Sequence, residues 1–287
     1  MFLNKDLKSI YIQLTEGISI NYPLNEAKSI AKVLLESAGY STSDLITKST
    51  DILNQQKLEY LEMALERLQN NEPVQYIIGA TAFYGLNLIV DPSVLIPRQE
   101  TEELVDLIIK ENRNTRARIL DIGTGSGCIA LSLKKNIPEA KVDALDYSKS
   151  ALDVALQNAK SLDLNVHFHH LDILHEAILP GEYDIIVSNP PYITESEKSE
   201  ILGNVLHHEP HDALFIPDHS PLIFYECIIE LSRRHLNKGG NLYFEINERL
   251  GREVRTLLNE SGFQNVRIIK DLNGKDRFAA GLSTARI

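Results

Sequence analysis

From Pro97 onward, apolar runs of strand length recur with helix-length segments between them, and that alternation limits the fold more than any other feature of the 287 residues. The runs fall at 118–120, 142–145, 166–169, 184–187, 242–245, 266–269 and 277–282. Strands separated by helices build βαβ units, whose crossovers cover both faces of a mostly parallel sheet. Seven such runs predict an α/β fold with a seven-stranded, mostly parallel sheet over residues 97–287.

The chain before Pro97 follows a different period. Leu7, Ile10, Tyr11, Leu14 and Ile18 recur near every 3.6 residues, as do Ala27, Ile30, Ala31 and Leu34, and then Leu58, Leu61, Leu65 and Leu68. Polar clusters at 41–44 and 49–54 sit where caps and turns belong, and Asn70 to Pro73 breaks the pattern. A small helical bundle is expected over 1–75. Residues 83–96, "FYGLNLIVDPSVLI", read as short β segments around Gly85 and an Asp91-Pro92 turn, so 76–96 is expected to be a β-hairpin linker.

After the first strand of the second region comes "ILDIGTGSGCIA", with Asp121 at the strand end and Gly123, Gly125 and Gly127 in the turn. Glycines let the backbone bend sharply and approach a ligand, and the helix that follows offers free N–H groups. A nucleotide-like cofactor fits this loop. The spacing leaves its identity open, because Gly125 to Ala130 also satisfies the relaxed dinucleotide pattern G-x-G-x-x-A. Asp146 ends the second strand about twenty residues later, where a carboxylate can accept from both ribose hydroxyls. Asp172 closes the third strand, and its carboxylate with the Ile173 N–H can read an adenine edge. Taken singly, an Asp at a strand end is an ordinary turn or cap residue; the combination with the glycine loop points to a ligand.

The fourth strand ends in "DIIVSNPPYI", beside the glycine loop at the carboxyl edge, where open α/β sheets bind ligands. Proline lacks an N–H, fixes its own φ and restricts the residue before it, so Asn189-Pro190-Pro191 holds its carbonyls in one direction. The Asn189 side-chain oxygen and the Pro190 backbone oxygen can accept both N–H groups of a substrate NH₂, with the Tyr192 ring covering its planar group. Alone, Pro-Pro simply ends a strand and a tyrosine packs into a core.

"DIGTGSG" followed by "NPPY" resembles the class I S-adenosylmethionine-dependent methyltransferases that modify planar, conjugated nitrogens, and implies a Rossmann-like methyltransferase sheet. "PVQYIIGATAFYGLNLIVDPSVLIPRQETEELV" resembles the segment before the methyltransferase domain in the bacterial peptide chain release factor glutamine methyltransferases. Glu209-Pro210 followed by Ala213-Leu214, "GGNLYFEI" and "DRFAAG" are similar to that family too, so the resemblance spans nearly the whole chain. It implies N5-methylation of the glutamine in a release factor Gly-Gly-Gln loop, with S-adenosylhomocysteine as product. It also implies that Gly123, Thr124, Gly125, Ser126, Gly127, Asp146, Asp172, Ile173 and Asn189 contact the cofactor, while Asn189, Pro190, Pro191 and Tyr192 hold the glutamine. Asn189 and Pro190 are then the catalytic acceptors and Tyr192 the positioning group. One departure is Gln99, where the family usually has proline after "IPR".

Rival readings share this chemistry. A glutamine methyltransferase acting on a ribosomal protein has the same corner; so does an amino methyltransferase of nucleic-acid bases, though the net charge of −11 and the lack of a basic stripe speak against gripping phosphates. A third reading is a cofactor-sensing module with a dead site. His207, His208 and His211 in "HHEPH" are expected to hold no metal. Cys128 and Cys227, without CxxC spacing, are expected to be reduced structural thiols. No apolar run nears the roughly 18 residues of a membrane span and no signal peptide is evident, so a cytoplasmic monomer without direct nucleic-acid or membrane binding is expected. The N-terminal bundle is the expected docking surface for the protein substrate.

Overall fold

The computed structural model describes residues 2–112, 116–175, 179, 181–200 and 203–284. All seven expected strands form one sheet. In chain order its members are β3 (Arg118–Ile122), β4 (Lys141–Asp146), β5 (His167–His170), β6 (Tyr183–Ser188), β9 (Leu236–Glu245), β10 (Gln264–Lys270) and β11 (Asp276–Leu282). They lie side by side as β10-β11-β9-β6-β3-β4-β5, and the short strands β7 (Ile193–Thr194) and β8 (Phe215–Ile216) pair apart from them. The pairs among β5, β4, β3, β6 and β9 are parallel, whereas β11 runs antiparallel between β9 and β10.

Side chains of a strand point alternately to opposite faces, and the core follows that rule. Ile119, Ile185, Val187, Tyr243 and Ala280 pack on one face with Leu104, Ile108, Ile129 and Leu133 from helices α6 (Gln99–Glu111) and α7 (Cys128–Asn136). Leu120, Ile186, Leu242, Phe244 and Ala279 pack on the other with Tyr225, Ile228, Val254 and Leu258 from α10 (Ile223–His235) and α11 (Gly251–Glu260). Burial on both faces is why the central strands read as unbroken apolar runs.

The chain forms two compact units. The smaller runs to Gly79 and takes in the segment up to His208; the larger runs from Ala80 and resumes at Glu209. The smaller contains α1 (Leu7–Ile18), α2 (Leu24–Ser37), α3 (Asp44–Thr47), α4 (Gln55–Gln69), α5 (Val74–Ile78) and the short α9 (Gly203–His208). Its core is the set of stripes seen in the sequence: Leu7, Ile10, Leu14, Ala27, Ala31, Leu34, Leu58, Leu61 and Leu68. Asp6 caps α1 by accepting from the Ser9 N–H at 3.0 Å, and Asn54 caps α4 by accepting from Lys57 at 2.9 Å.

The stretch expected as a hairpin linker divides differently. Residues 76–78 complete α5, and the hairpin is β1 (Ala80–Phe83) with β2 (Leu86–Ile89), turning at Tyr84 and Gly85. Residues 90–98 form no strand. The hairpin is part of the larger unit: Phe83, Leu86 and Leu88 join its core. Asn158 of α8 (Lys149–Ser161) also grips both backbone groups of Ile89, at 2.6 and 2.9 Å. Gln99 opens α6 at the first helical position, where proline is favoured but its N–H is not needed inside the helix, so a glutamine is accommodated there.

Candidate active site

Chain order reverses at β3: β4 and β5 lie to one side of it, β6 and β9 to the other. Ligands of open α/β sheets bind outside the carboxyl ends at such a point. Ile122 and Ser188, the last residues of β3 and β6, are in register, and the Ser188 hydroxyl donates to the Ile122 carbonyl at 2.7 Å. The glycine loop and Asn189 therefore leave the sheet side by side.

The loop is held from beneath. The Gly123 and Thr124 N–H groups donate to the Leu145 carbonyl at 2.9 and 3.0 Å, and the Gly125 N–H donates to Asp146 Oδ2 at 2.9 Å. Gly127 has φ +82°, and a Cβ there would lie 3.0 Å from Leu131 Cδ1, so both backbone and packing require glycine. Around Gly123 and Gly125 a Cβ would meet nothing within 4 Å. That open space is part of a cavity in the larger unit, walled by Gly123–Ser126, Asp146–Ser148, Asp172, Ile173, Asn189–Pro191, Val94–Leu95 and Pro97–Arg98. The Ser126 hydroxyl, in the wall, is buried without a hydrogen-bond partner.

Asp146 ends β4 as expected, and its two oxygens accept from the N–H groups of Gly125 and Ser148, which leaves each a further lone pair. Asp172 lies two residues beyond β5 rather than closing it; its carboxylate accepts from the Leu174 N–H at 2.9 Å and pairs with His175 at 2.8 Å. Asn189, Pro190 and Pro191 line the cavity, but Tyr192 is not among its walls. Tyr192 instead packs on the second core face, and its hydroxyl donates to Glu245 at 3.2 Å. Burial, with the Glu245 charge beside it, pushes its pKa up and keeps it a neutral donor.

No sequence motif marks four further participants: Thr101, Glu245, Glu209 and Arg98. Thr101, in the first turn of α6, accepts from Asn189 Nδ2 at 3.2 Å and donates to Glu245 Oε2 at 2.7 Å. Glu245 ends β9 and is fully buried; burial pushes its pKa up to about 6 despite the donors from Thr101 and Tyr192. Glu209 accepts from the Ile96 N–H at 3.2 Å and from Arg98 at 2.6 Å. A charged residue ending an otherwise apolar strand is the one signal that would have flagged Glu245.

The histidines of "HHEPH" are spread over two elements: His207 and His208 lie in α9, while His211 begins a 3₁₀ turn and meets the Phe215 ring edge-on at 5.3 Å. Among the described residues no group of three or more His, Cys, Asp or Glu side chains is arranged to hold a metal. Cys128 and Cys227 are free, and burial pushes the Cys128 thiol up to about 12, so it is no nucleophile at neutral pH.

Asp121, under the loop, accepts from Thr124 Oγ1 and the Ala130 N–H through Oδ2, while Oδ1 has no partner. Burial raises its pKa from 3.8 to about 7. The folded state thus holds this proton more tightly than the unfolded chain does. The stability it contributes is present below about 3.8 and is lost as pH rises through about 7. Asp121→Asn has no charge to bury. The stability of wild type relative to this variant is expected to fall by up to roughly 1.4 kcal/mol per pH unit across that window. Denaturant unfolding from pH 4 to 8 measures this; parallel pH profiles for the two proteins would show that Asp121 is not charged at the cost of folding.

Comparison with known proteins agrees with this architecture. A family model described as methyltransferase small domain matches residues 99–215, and one described as PrmC N-terminal domain matches residues 18–79. A curated protein of Bacteroides thetaiotaomicron named release factor glutamine methyltransferase is 50% identical over 273 residues, covering 94% of this chain and 98% of that one. A protein of the same name from Flavobacterium psychrophilum is 44% identical over 276 residues, covering 94% and 97%. The T. thermophilus 16S rRNA N2 G1207 methyltransferase, solved in complex with AdoMet and guanosine, shares the fold: the TM-score is 0.53 at 17% identity, over 71% of this chain and 49% of that one.

Proposed function

The chain belongs to the release factor glutamine methyltransferases, and on that premise we propose that it methylates the side-chain amide nitrogen of the glutamine in the Gly-Gly-Gln motif of peptide chain release factors, using S-adenosylmethionine. The observation that carries the reading is the pair of oxygens beside the glycine loop. Among the described residues no donor meets Asn189 Oδ1 or the Pro190 carbonyl, and both residues line the cavity.

The residues present fit the cofactor. Gly123 and Gly125 offer backbone approach without Cβ atoms, the Ser126 hydroxyl lacks a partner, and Asp146 keeps lone pairs for a ribose. Asp172 and Ile173 stand in the same wall for an adenine edge. When bound, S-adenosylmethionine supplies an electrophilic methyl group on a sulfonium.

The chain's own part is to make a poor nucleophile competent. An amide nitrogen has its lone pair delocalised into the carbonyl, so attack requires a fixed direction, and positioning alone can contribute on the order of 7 to 11 kcal/mol. Asn189 Oδ1 and the Pro190 carbonyl accept the two N–H groups of the glutamine and aim its lone pair. As positive charge grows on that nitrogen, both oxygens stabilise it more than they stabilise the neutral amide. Pro190 and Pro191 keep competing N–H donors out of the corner. No strong base is needed before attack: as the nitrogen–carbon bond forms the sulfur–carbon bond breaks, with S-adenosylhomocysteine as the leaving group, and the nitrogen, now positive, gives up one of its protons to solvent.

The test is incubation with a release factor and S-adenosylmethionine, followed by mass spectrometry. One added methyl on the Gly-Gly-Gln glutamine is expected; transfer only to a ribosomal protein or to nucleic acid, or to nothing, would overturn the reading. We assign the N-terminal unit to docking of the intact factor, since a Gly-Gly-Gln loop alone offers little binding area. Deleting residues 1–70 is then expected to raise KM for the intact factor about tenfold or more, with little change on a short Gly-Gly-Gln peptide. Unchanged rates on the intact factor, with the catalytic unit folded, would remove the docking role. The reading places the enzyme in the cytoplasm as a monomer, with the release factor as its partner.

A further inference from the structure

We propose that Glu245 and Thr101 are positioning residues that decide which end of the Asn189 carboxamide faces the substrate. The inference rests on the reading above, in which Asn189 Oδ1 accepts from the glutamine NH₂.

A carboxamide can turn its oxygen or its NH₂ toward a ligand, and the two ends have nearly the same shape. Only the oxygen serves here, because the substrate group is itself an NH₂ and two donors cannot pair. The choice is made three residues deep. Glu245 Oε2 lies 2.7 Å from Thr101 Oγ1, and an ionised carboxylate has no proton, so the hydroxyl must donate to it. A hydroxyl has one hydrogen. With that hydrogen committed, Thr101 offers Asn189 only lone pairs, so the group it faces, at 3.2 Å, must be Nδ2. Oδ1 is left on the opposite side of the carboxamide. Turning the amide over would set Oδ1 against the Thr101 oxygen, acceptor against acceptor, beside a threonine that is itself buried.

The same carboxylate governs the other end of the corner. Its second oxygen, Oε1, accepts the Tyr192 hydroxyl at 3.2 Å, so a single buried acid ties both the first and the last residue of Asn-Pro-Pro-Tyr. The sheet delivers this acid to the corner. β9 lies next to β6 with Phe244 paired to Ser188, so Glu245 stands one residue beyond the pair, level with Asn189. Thr101 is buried, and Glu245 is 1% exposed, so water does not compete for either bond. A buried carboxylate is a costly feature for a strand end that only has to pack. Its two donors are the corner tyrosine and the threonine that holds the corner asparagine.

The test is a double-mutant cycle between Thr101→Val and Asn189→Ala. In the wild-type background Thr101→Val is expected to lower kcat for release factor methylation about tenfold or more, with the affinity for S-adenosylhomocysteine unchanged by calorimetry. Thr101→Ser, which keeps the hydroxyl, is expected to retain at least about half the wild-type kcat. In the Asn189→Ala background, where no amide remains to be oriented, Thr101→Val is expected to cost less than about twofold. Equal losses in the two backgrounds would assign Thr101 to general packing and overturn the proposal. Thr101→Ala runs in the same cycle and decides the matter should the valine variant not fold. In ¹⁵N-labelled protein, the side-chain amide protons of Asn189 are expected to shift on Thr101→Val but not on Thr101→Ser; unchanged resonances would count against the proposal. The two levels separate cleanly: a wild-type enzyme without activity on release factors, or an Asn189→Ala variant with full activity, would refute the function or the acceptor pair, not the orientation.

Discussion

Asn189→Ala is expected to lower kcat for release factor methylation by roughly a hundredfold or more, the loss typical of removing one preorganised partner of transition-state charge. The substitution deletes Oδ1 and leaves the Pro190 carbonyl, so the glutamine keeps one acceptor and loses the second point that fixed its rotation. Charge on the attacking nitrogen rises only as the new bond forms, so the deleted oxygen matters more in the transition state than in the bound ground state. The effect therefore falls on kcat. Cofactor affinity is expected to stay near that of wild type, since the glycine loop and Asp146 are held by Leu145 and by each other and not by Asn189. Single-turnover rates with saturating cofactor, beside calorimetric binding of S-adenosylhomocysteine, give both quantities. Near-normal turnover would remove Asn189 from the chemistry.

The parts of this site that were legible in the sequence are those made by consecutive residues. A glycine loop after an apolar run, an acid at the end of the next strand and Asn-Pro-Pro-Tyr after the fourth each carry their own local geometry, and the strand period places them at one edge of the sheet. The central strands were legible because burial on both faces leaves unbroken apolar runs, whereas β5 and β10, at the two edges of the sheet, are only partly buried and were legible by their spacing between helix-length segments. What was not legible depends on pairings across long stretches of chain. Thr101 is an unremarked polar residue in a helix until the fold sets it against Glu245, 144 positions later. The partner of the Tyr192 hydroxyl was hidden in the same way. An aromatic ring next to a substrate corner reads as a cover for it, but the nearest buried acid lies behind the corner and draws the hydroxyl inward. The hairpin at Ala80–Ile89 reads as a linker because Asn158, which binds it to the larger unit, sits 69 positions away.

Glu209→Ala is expected to have the second large effect, and to act on the cofactor rather than on the chemistry. The Glu209 side chain is 1% exposed, and its two oxygens hold the Ile96 N–H at 3.2 Å and the Arg98 guanidinium at 2.6 Å. Val94, Leu95, Pro97 and Arg98 are cavity wall, and this stretch belongs to no strand or helix that would fix it otherwise. Pro210, next to Glu209, is wall as well, so one carboxylate joins two irregular segments that face the same space. Removing it leaves the backbone N–H of buried Ile96 without a partner, a cost of about 1 to 3 kcal/mol, and frees Arg98 to move into water. If half of that cost appears as disorder of the wall that binding must repair, affinity for S-adenosylmethionine falls about two- to tenfold. Once the cofactor is saturating, the Asn189 and Pro190 oxygens are unchanged and kcat should stay within about threefold of wild type. Glu209→Gln keeps an acceptor for Ile96 but lacks the charge that holds Arg98, so it should fall between the two. Calorimetric titration with S-adenosylhomocysteine and kcat at saturating S-adenosylmethionine separate the effects: unaltered affinity in the alanine variant would show that the wall holds its shape without this carboxylate.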